Sequence, residues 1–453
     1  MQTSIRRWLG LVLATVLSFA GLAVITQQPA AAAGGTATVN TVYYWQNVML
    51  EVFRRQGGGP GPLARGAAIM HGGVFDLLNS ANWSRQNLVG TGYDRAFALL
   101  VFDPATDDNL AAGIVARDLL KFAFPAHQTY IQQKYTERHG SASQQAATDA
   151  AAQVVNSVKS YRTNDGSNAT PTYTFDNVPG AWRLTPNPDC TAPVDPHYGA
   201  VTPFVMSSSS QFRRPLPAGA TSYATLLASS TYTTVFNDVK SLGRINSTTR
   251  TATQTQIAHF WGNDANGTYK PPGQLLEHTR VVAQSRITDP LRLSRLFARA
   301  SFALADAAIA AWDMKYRTPV DLWRPVTAIR LAGTDNNPNT AADSTWTPLG
   351  PSPCFPAWVS GHATLAGAWA RVMAGEFGDA ITYTGGTEDP NAVGVNRTFT
   401  SFSSAAVEDA RSRIYLGVHY QFDGDDGRAA GINIGNLTNT RIQAMTCTPY
   451  PCY

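Results

Sequence analysis

The segment Leu291 to Tyr316 (LRLSRLFARASFALADAAIAAWDMKY) constrains the fold most. Its apolar residues recur at helical spacing, and alanines fill a face that lets neighbouring helices pack closely. Val39 to Arg55, Leu110 to Phe122 and Ser143 to Tyr161 follow the same period, and helical signals return at Tyr223 to Leu242 and Thr253 to Trp261. Clearly alternating strands are nearly absent, so the expected fold class is all-α. From about 163 to 220 the chain is rich in Pro, Ser, Thr and Asn, with PGAWRLTPNPDC and TPFVMSSSSQFRRPLP. A stretch this long and irregular reads as an ordered loop draped over helices. The expected organisation is a helical half at about 38–162, the loop, and a second helical half at about 221–445. No internal repeat or heptad array is apparent.

Composition narrows the class. Of 453 residues only 15% are charged and 44% are hydrophobic, which excludes a disordered chain. A formal charge of +4 lacks the clustered basic excess of a nucleic-acid binder. At the N-terminus, Arg6 and Arg7 precede an apolar run from Trp8 to Ile25 and then Ala31-Ala32-Ala33. That order predicts a secretory signal peptide over residues 1–33, with an uncleaved anchor as the alternative. The paired arginines of SIRRWLG leave the export route open between the general secretory and twin-arginine pathways. Cleavage after Ala33 leaves 420 residues with a charge of +2, no later membrane span and a secreted or periplasmic location. The four cysteines, Cys190, Cys354, Cys447 and Cys452, suit an exported protein. Cys447 and Cys452 enclose only TPYP, which suggests a small loop and leaves Cys190 to pair with Cys354. No zinc-ligand spacing is present, and FDGDDG near residue 425 lacks the acidic order of a calcium loop.

The chemistry gathers in three patches of the last third. Ala311 to Arg330 holds Lys315, Arg317, Arg324 and Arg330 beside Trp312 and Trp323. Pro353 to Ala368 holds Ser360-Gly361-His362 ahead of a helical run, so Ser360 is an expected N-cap and the helix start an expected anion site. Ser412 to Gly427 holds Ser412, Arg413, His419 and Asp423. Read as one helix, Ser412 and His419 share a face, and Asp423 lies four beyond His419, in reach of its far ring nitrogen. Together these cations, the serine hydroxyl and the helix-start N–H groups suit a tetrahedral oxyanion. One histidine is then placed to bond its central atom and the other to move protons.

These residues resemble the signature shared by the vanadium-dependent haloperoxidases and the type-2 phosphatidic acid phosphatase (bacterial acid phosphatase) superfamily. That signature runs K-x6-R-P, then P-S-G-H, then S-R-x5-H-x3-D. Arg324-Pro325, Ser360-Gly361-His362 and Ser412-Arg413…His419…Asp423 match it, and WRPVTAIR, FPAWVSGHATLAGA and YLGVHYQFDG resemble the secreted bacterial haloperoxidase branch. The likeness extends upstream through GAWRLTP, VTPF, QFRRP and QIAHFWG. It implies two helical bundles with long connecting loops.

Two positions depart from the pattern. Val359 stands where the family has proline, and Lys315 is nine residues before Arg324 rather than seven, where Arg317 stands instead. Either an insertion displaces Lys315 or Arg317 substitutes for it; the AWDMKY context favours Lys315.

The resemblance implies vanadate as cofactor, with hydrogen peroxide, halide and a small organic acceptor as reactants. His419 is then the axial ligand to vanadium, or the nucleophile in a phosphatase acting on phosphomonoesters. His362 is the acid–base partner, and Asp423 orients His419. Lys315 or Arg317, with Arg324, Arg413, Ser360 and Gly361, holds the oxyanion. Trp312 and Phe355 line a halide pocket, or are ordinary buried aromatics. Two alternatives stand beside the haloperoxidase reading: a secreted acid phosphatase using a phosphohistidine, and an inactive secreted helical binding protein.

Overall fold

The structure, a computed structural model, describes residues 36–85, 95–187 and 190–442. The proposed signal segment and the Cys447/Cys452 loop lie outside these residues. Fourteen α-helices, four short 3-10 turns and a two-stranded hairpin make up the regular elements among the described residues. The first five are α1 (Val39–Gln56), α2 (Pro60–Arg85), α3 (Asp108–Ala123), α4 (Gln128–His139) and α5 (Gln145–Arg162). After the long loop come α6 (Tyr223–Leu227), α7 (Ser230–Leu242), α8 (Ala252–Phe260), α9 (Lys270–Ala283), α10 (Pro290–Tyr316) and α11 (Pro325–Arg330). The last third adds α12 (Gly361–Phe377), α13 (Phe402–Tyr415) and α14 (Gln421–Arg441), with β1 (Tyr383–Gly386) antiparallel to β2 (Asn396–Phe399).

The all-α expectation holds, and α10 is the shared axis. It packs on α2 of the first half and on α12 and α14 of the second. Asp289 caps it by accepting the N–H groups of Leu291 and Arg292, Pro290 starts it with a fixed φ, and every residue from Leu296 to Lys315 is buried. A helix buried on all sides needs small residues where others cross it, and the ADAAIAA run supplies them.

Periodicity did not single out the long helix α2, because Gly61, Gly66, Gly72 and Gly73 dilute its pattern. Packing explains those glycines. A Cβ at Gly66 would lie 2.2 Å from the Phe124 ring, and one at Gly73 would lie 2.3 Å from Leu119. The segment expected as one helix from Tyr223 to Leu242 is two, because Ser229 caps a new start by accepting the Tyr232 N–H.

The loop after α5 is latched by specific groups. Asp306 of α10 accepts the N–H groups of Phe204, Val205 and Met206 at 2.7–2.9 Å. Arg213 pairs with Asp313, Arg214 with Asp426, and Trp182 N–H donates to the Asp321 carbonyl. A Cys190–Cys354 disulfide fixes its middle, the pairing expected for these two cysteines. The strings VTPF and QFRRP are therefore latches that hold the loop against α10 and α14.

Candidate active site

Four chain segments meet at the C-terminal end of α10. Lys315 occupies its last turn, Arg324 is the residue before α11, Ser360 to His362 open α12, and Arg413 to Asp423 join α13 to α14. The helix expected to run from Ser412 through Asp423 is broken. Gly417 takes φ +82 and the chain turns before α14 begins, so Ser412 and His419 do not share a helical face. Gly417 has little alternative, since a Cβ there would lie 2.4 Å from the Gly243 carbonyl oxygen. The Ser412 hydroxyl donates to the Asp409 carbonyl of its own helix.

The turn aims His419 inward. Its Nδ1 lies 2.8 Å from Asp423 Oδ2, which also accepts the Tyr420 N–H at 3.0 Å. An acceptor there puts the ring proton on Nδ1 and leaves Nε2 as the electron-pair nitrogen. Arg324 Nη1 reaches that Nε2 at 3.1 Å while donating to the Val418 carbonyl at 2.8 Å. Burial, then Arg324, Lys315 and Arg413, hold His419 well below the usual imidazole range. Burial pushes the Asp423 carboxyl up, against the pull of the Tyr420 N–H, Lys315 and Arg324.

Lys315 is fully buried and donates to the carbonyls of Pro356 (2.8 Å) and Ala357 (3.2 Å). Its ammonium sits 4.8 Å over the Phe355 ring, and the Arg324 guanidinium sits 4.7 Å from the same ring. Burial and the neighbouring Arg324 draw Lys315 well below its ordinary value. Arg317 does not join this group: its side chain is 52% exposed and lies 3.6 Å from Asp313. Trp312 packs on Phe355 with ring centroids 4.9 Å apart and donates its indole N–H to the Val194 carbonyl. The disulfide at Cys354 anchors the segment that carries Phe355.

Ser360 caps α12 by accepting the Ala363 N–H, and its own N–H donates to the Asp423 carbonyl at 2.9 Å. Gly361 is the first helical residue, so its N–H has no partner within the helix. A Cβ added to it would meet nothing nearer than the Trp312 ring at 3.4 Å. His362 Nε2 lies 3.2 Å from the Gly262 carbonyl and 3.8 Å from Asp264 Oδ2. Burial, then Arg413, push His362 down to about 4, so it is neutral at pH 7.

The structure brings together every expected residue except Arg317. It adds Asp264, which pairs with Arg413 at 3.1 Å, and the backbone carbonyls of Trp261 and Gly262, which face Arg413 and His362. QIAHFWG ends at Gly262, so the sequence likeness marked this loop without assigning it a role.

Residues 295–447 match the model of the VCPO second helical-bundle domain. The vanadium chloroperoxidase of Curvularia inaequalis is 27% identical over a region covering 40% of this chain and 37% of that protein, so the match spans little more than a third of that relative. Two solved structures share the fold at lower identity. The first bacterial vanadium-dependent iodoperoxidase superposes with a TM-score of 0.76 at 23% identity, covering 92% of this chain and 98% of that one. A holo-type bacterial vanadium-dependent chloroperoxidase gives 0.64 at 16% identity, covering 89% and 91%. The architecture is that of the helical-bundle vanadium haloperoxidases. The match of residues 295–447, the curated relative and the shared fold all point to likeness with the vanadium-dependent haloperoxidases.

Proposed function

We propose that the protein is a vanadate-dependent haloperoxidase that uses hydrogen peroxide to oxidise halide to hypohalous acid, which halogenates small organic acceptors. Similarity to the vanadium haloperoxidases supports a haloperoxidase or related function. The observation that carries the finer reading is a buried cation cradle short of one anion. Lys315, Arg324 and Arg413 surround His419, and Arg324 Nη2 and Arg413 Nε have no partner. Buried guanidinium N–H groups left unpaired are costly, and a bound oxyanion satisfies them.

The residues fit vanadate. Lys315, Arg324 and Arg413 would supply positive charge, Ser360 and the Gly361 N–H would supply hydrogen bonds, and His419 Nε2 would be the nitrogen donor. Bound there, vanadate would supply Lewis-acid activation of peroxide without a change of oxidation state. The protein's own groups do the rest. Asp423 keeps the proton on His419 Nδ1, and the turn at Gly417 fixes the ring. His362, neutral at pH 7, takes a proton from incoming hydrogen peroxide. Phe355 and Trp312 form an apolar wall beside Lys315 and Arg324, which suits a halide stripped of water. The disulfide supports export into an oxidising compartment after removal of residues 1–33, and among the described residues no helix is long and apolar enough to cross a membrane.

Phosphate has the same shape, and His419 Nε2 is equally placed to attack a phosphomonoester. One assay set separates the two. Mature protein loaded with orthovanadate is tested for peroxide-dependent bromination of a phenol dye, and vanadate-free protein for p-nitrophenyl phosphate hydrolysis. Bromination stimulated by vanadate is expected; its absence overturns the haloperoxidase reading, and phosphatase turnover replaces it.

A further inference from the structure

The loop after α8 touches His362 of α12 and Arg413 of α13 within four residues. The Trp261 carbonyl accepts Arg413 Nη1 at 3.4 Å, the Gly262 carbonyl faces His362 Nε2, and Asp264 Oδ2 accepts Arg413 Nη2. A carbonyl only accepts hydrogen bonds, so its partner nitrogen must carry the ring proton. Asp264 Oδ2, also nearest to Nε2, favours the same tautomer. Nδ1 is then the basic nitrogen of His362.

What fixes the carbonyl is Asp389, which follows β1 and is 6% exposed. Its Oδ2 accepts the Asn263 N–H at 2.8 Å, and its Oδ1 accepts the backbone and side-chain N–H groups of Asn391 at 2.8 and 3.1 Å. Asn263 is buried with φ +42, a left-handed conformation that needs support outside glycine. The fit is close: a Cβ on Gly262 would lie 2.7 Å from Asp389 Oδ2 and 3.1 Å from the His259 carbonyl. The neighbouring Glu388 ties the same segment to α1, accepting Arg54 Nη2 at 2.6 Å and the Tyr269 N–H at 2.9 Å.

We propose that Asp389 is a positioning residue: through the Asn263 N–H it holds the Gly262 carbonyl on His362 Nε2, so the ring proton stays there and Nδ1 exchanges protons with the substrate. The use of that nitrogen in turnover rests on the haloperoxidase reading, whereas the tautomer does not. The test uses full-length protein labelled with 15N-histidine, with His362 assigned through His362→Gln. Wild type is expected to show His362 protonated on Nε2 and bare on Nδ1 at pH 7.5. Asp389→Ala is expected to give a mixture of tautomers and about a tenfold lower kcat, as for loss of an orienting partner, with KM for peroxide within about twofold. Asp389→Asn, which keeps an acceptor oxygen, restores most of both. If Asp389→Ala does not fold, Gly262→Ala displaces the same carboxylate and must mix the tautomers. An Nδ1–H tautomer in wild type, or one unchanged in every folded variant, overturns the proposal. The expected spectra without any vanadate-stimulated bromination leave the positioning role standing and remove the haloperoxidase reading.

Discussion

Each half of the molecule buries a group of charges, and the two groups are finished differently. In the first half Asp165 accepts Arg65 Nε at 2.7 Å and forms an ion pair with Arg162 Nη2 at 2.8 Å. Further guanidinium N–H groups reach the carbonyls of Arg162, Thr202 and Pro203, and the Arg162 guanidinium lies 3.8 Å over the Phe204 ring. Arg162 Nε lacks a hydrogen-bond partner, and its guanidinium lies over an aromatic ring. In the second half Lys315 is held by carbonyls, Arg324 by carbonyls and the His419 ring, Asp423 is turned to His419, and Arg413 has the partly exposed Asp264. The first group has its one carboxylate placed directly between its two cations. The second has the charge and geometry of a socket, and a fold keeps such an uncompensated group where a ligand completes it.

The largest effects separate the two groups by what is lost. His419→Ala is expected to lower vanadate-stimulated bromination by about a thousandfold, the scale of removing a key electrostatic donor or ligand, with little change in the urea midpoint. Asp165→Ala is expected to do the reverse. It strands two buried guanidinium groups and lowers stability by about 3–5 kcal/mol, while protein that remains folded keeps its affinity for orthovanadate. If Asp165→Ala left stability intact, the claim that the first group is a structural cluster held by its own carboxylate would be wrong.

Substitution of Lys315 sharpens the contrast, because socket and support then move in opposite directions. Lys315→Met removes a desolvated charge with no carboxylate partner, so the anion-free protein is expected to be as stable as wild type or about 1 kcal/mol more stable. Its vanadate affinity is expected to fall about a hundredfold, near the upper range for a site-organising group. Arg317→Met, changed on the exposed side of the same helix end, is expected to leave affinity within about twofold. Isothermal titration with orthovanadate, read beside urea curves, decides between Lys315 and Arg317. In wild type a hundredfold excess over Kd should add about 2.7 kcal/mol to unfolding stability, and Lys315→Met should lose most of that gain at the same concentration.

The sequence made some of this contrast visible and hid the rest for physical reasons. Helix positions were legible wherever apolar period survived, as in α1, α3, α5 and α10. Helix α2 was not, because its glycines serve packing that only the partner helices reveal. The cations and histidines of the socket were legible through spacing, and so was Asp423 as the partner of His419. The turn at Gly417 was not, since seven residues between Ser412 and His419 fit a continuous helix equally well. Backbone carbonyls carry no residue type, so the contributions of Gly262, Phe355, Pro356 and Val418 were beyond any reading of side chains. Asp264 and Asp389 act on the site from segments 98 and 27 residues away from His362, a nearness that exists only after folding.

The smallest effect concerns one histidine from each half. His71 is buried, lies 2.7 Å from Gln46 Oε1 through Nε2 and stacks on Phe297; burial pushes it down to about 3. His362 is pushed to about 4 by burial and by Arg413. In both, the folded pKa lies below the unfolded value of about 6.5, so as pH falls the unfolded chain takes up the proton first. The stability tied to each neutral ring is therefore present above about pH 6.5 and is lost as pH falls toward 3 for His71 and toward 4 for His362. An oxyanion beside Arg413 offsets the charge that helps depress His362, whereas nothing at His71 changes. Orthovanadate or phosphate is thus expected to raise the His362 pKa by about one unit and to leave His71 unmoved, read from 15N-histidine shifts between pH 7.5 and 4. Equal shifts at both rings would point to a global change in the protein and break the distinction between a socket and a sealed core; no shift at either would place the anion away from Arg413.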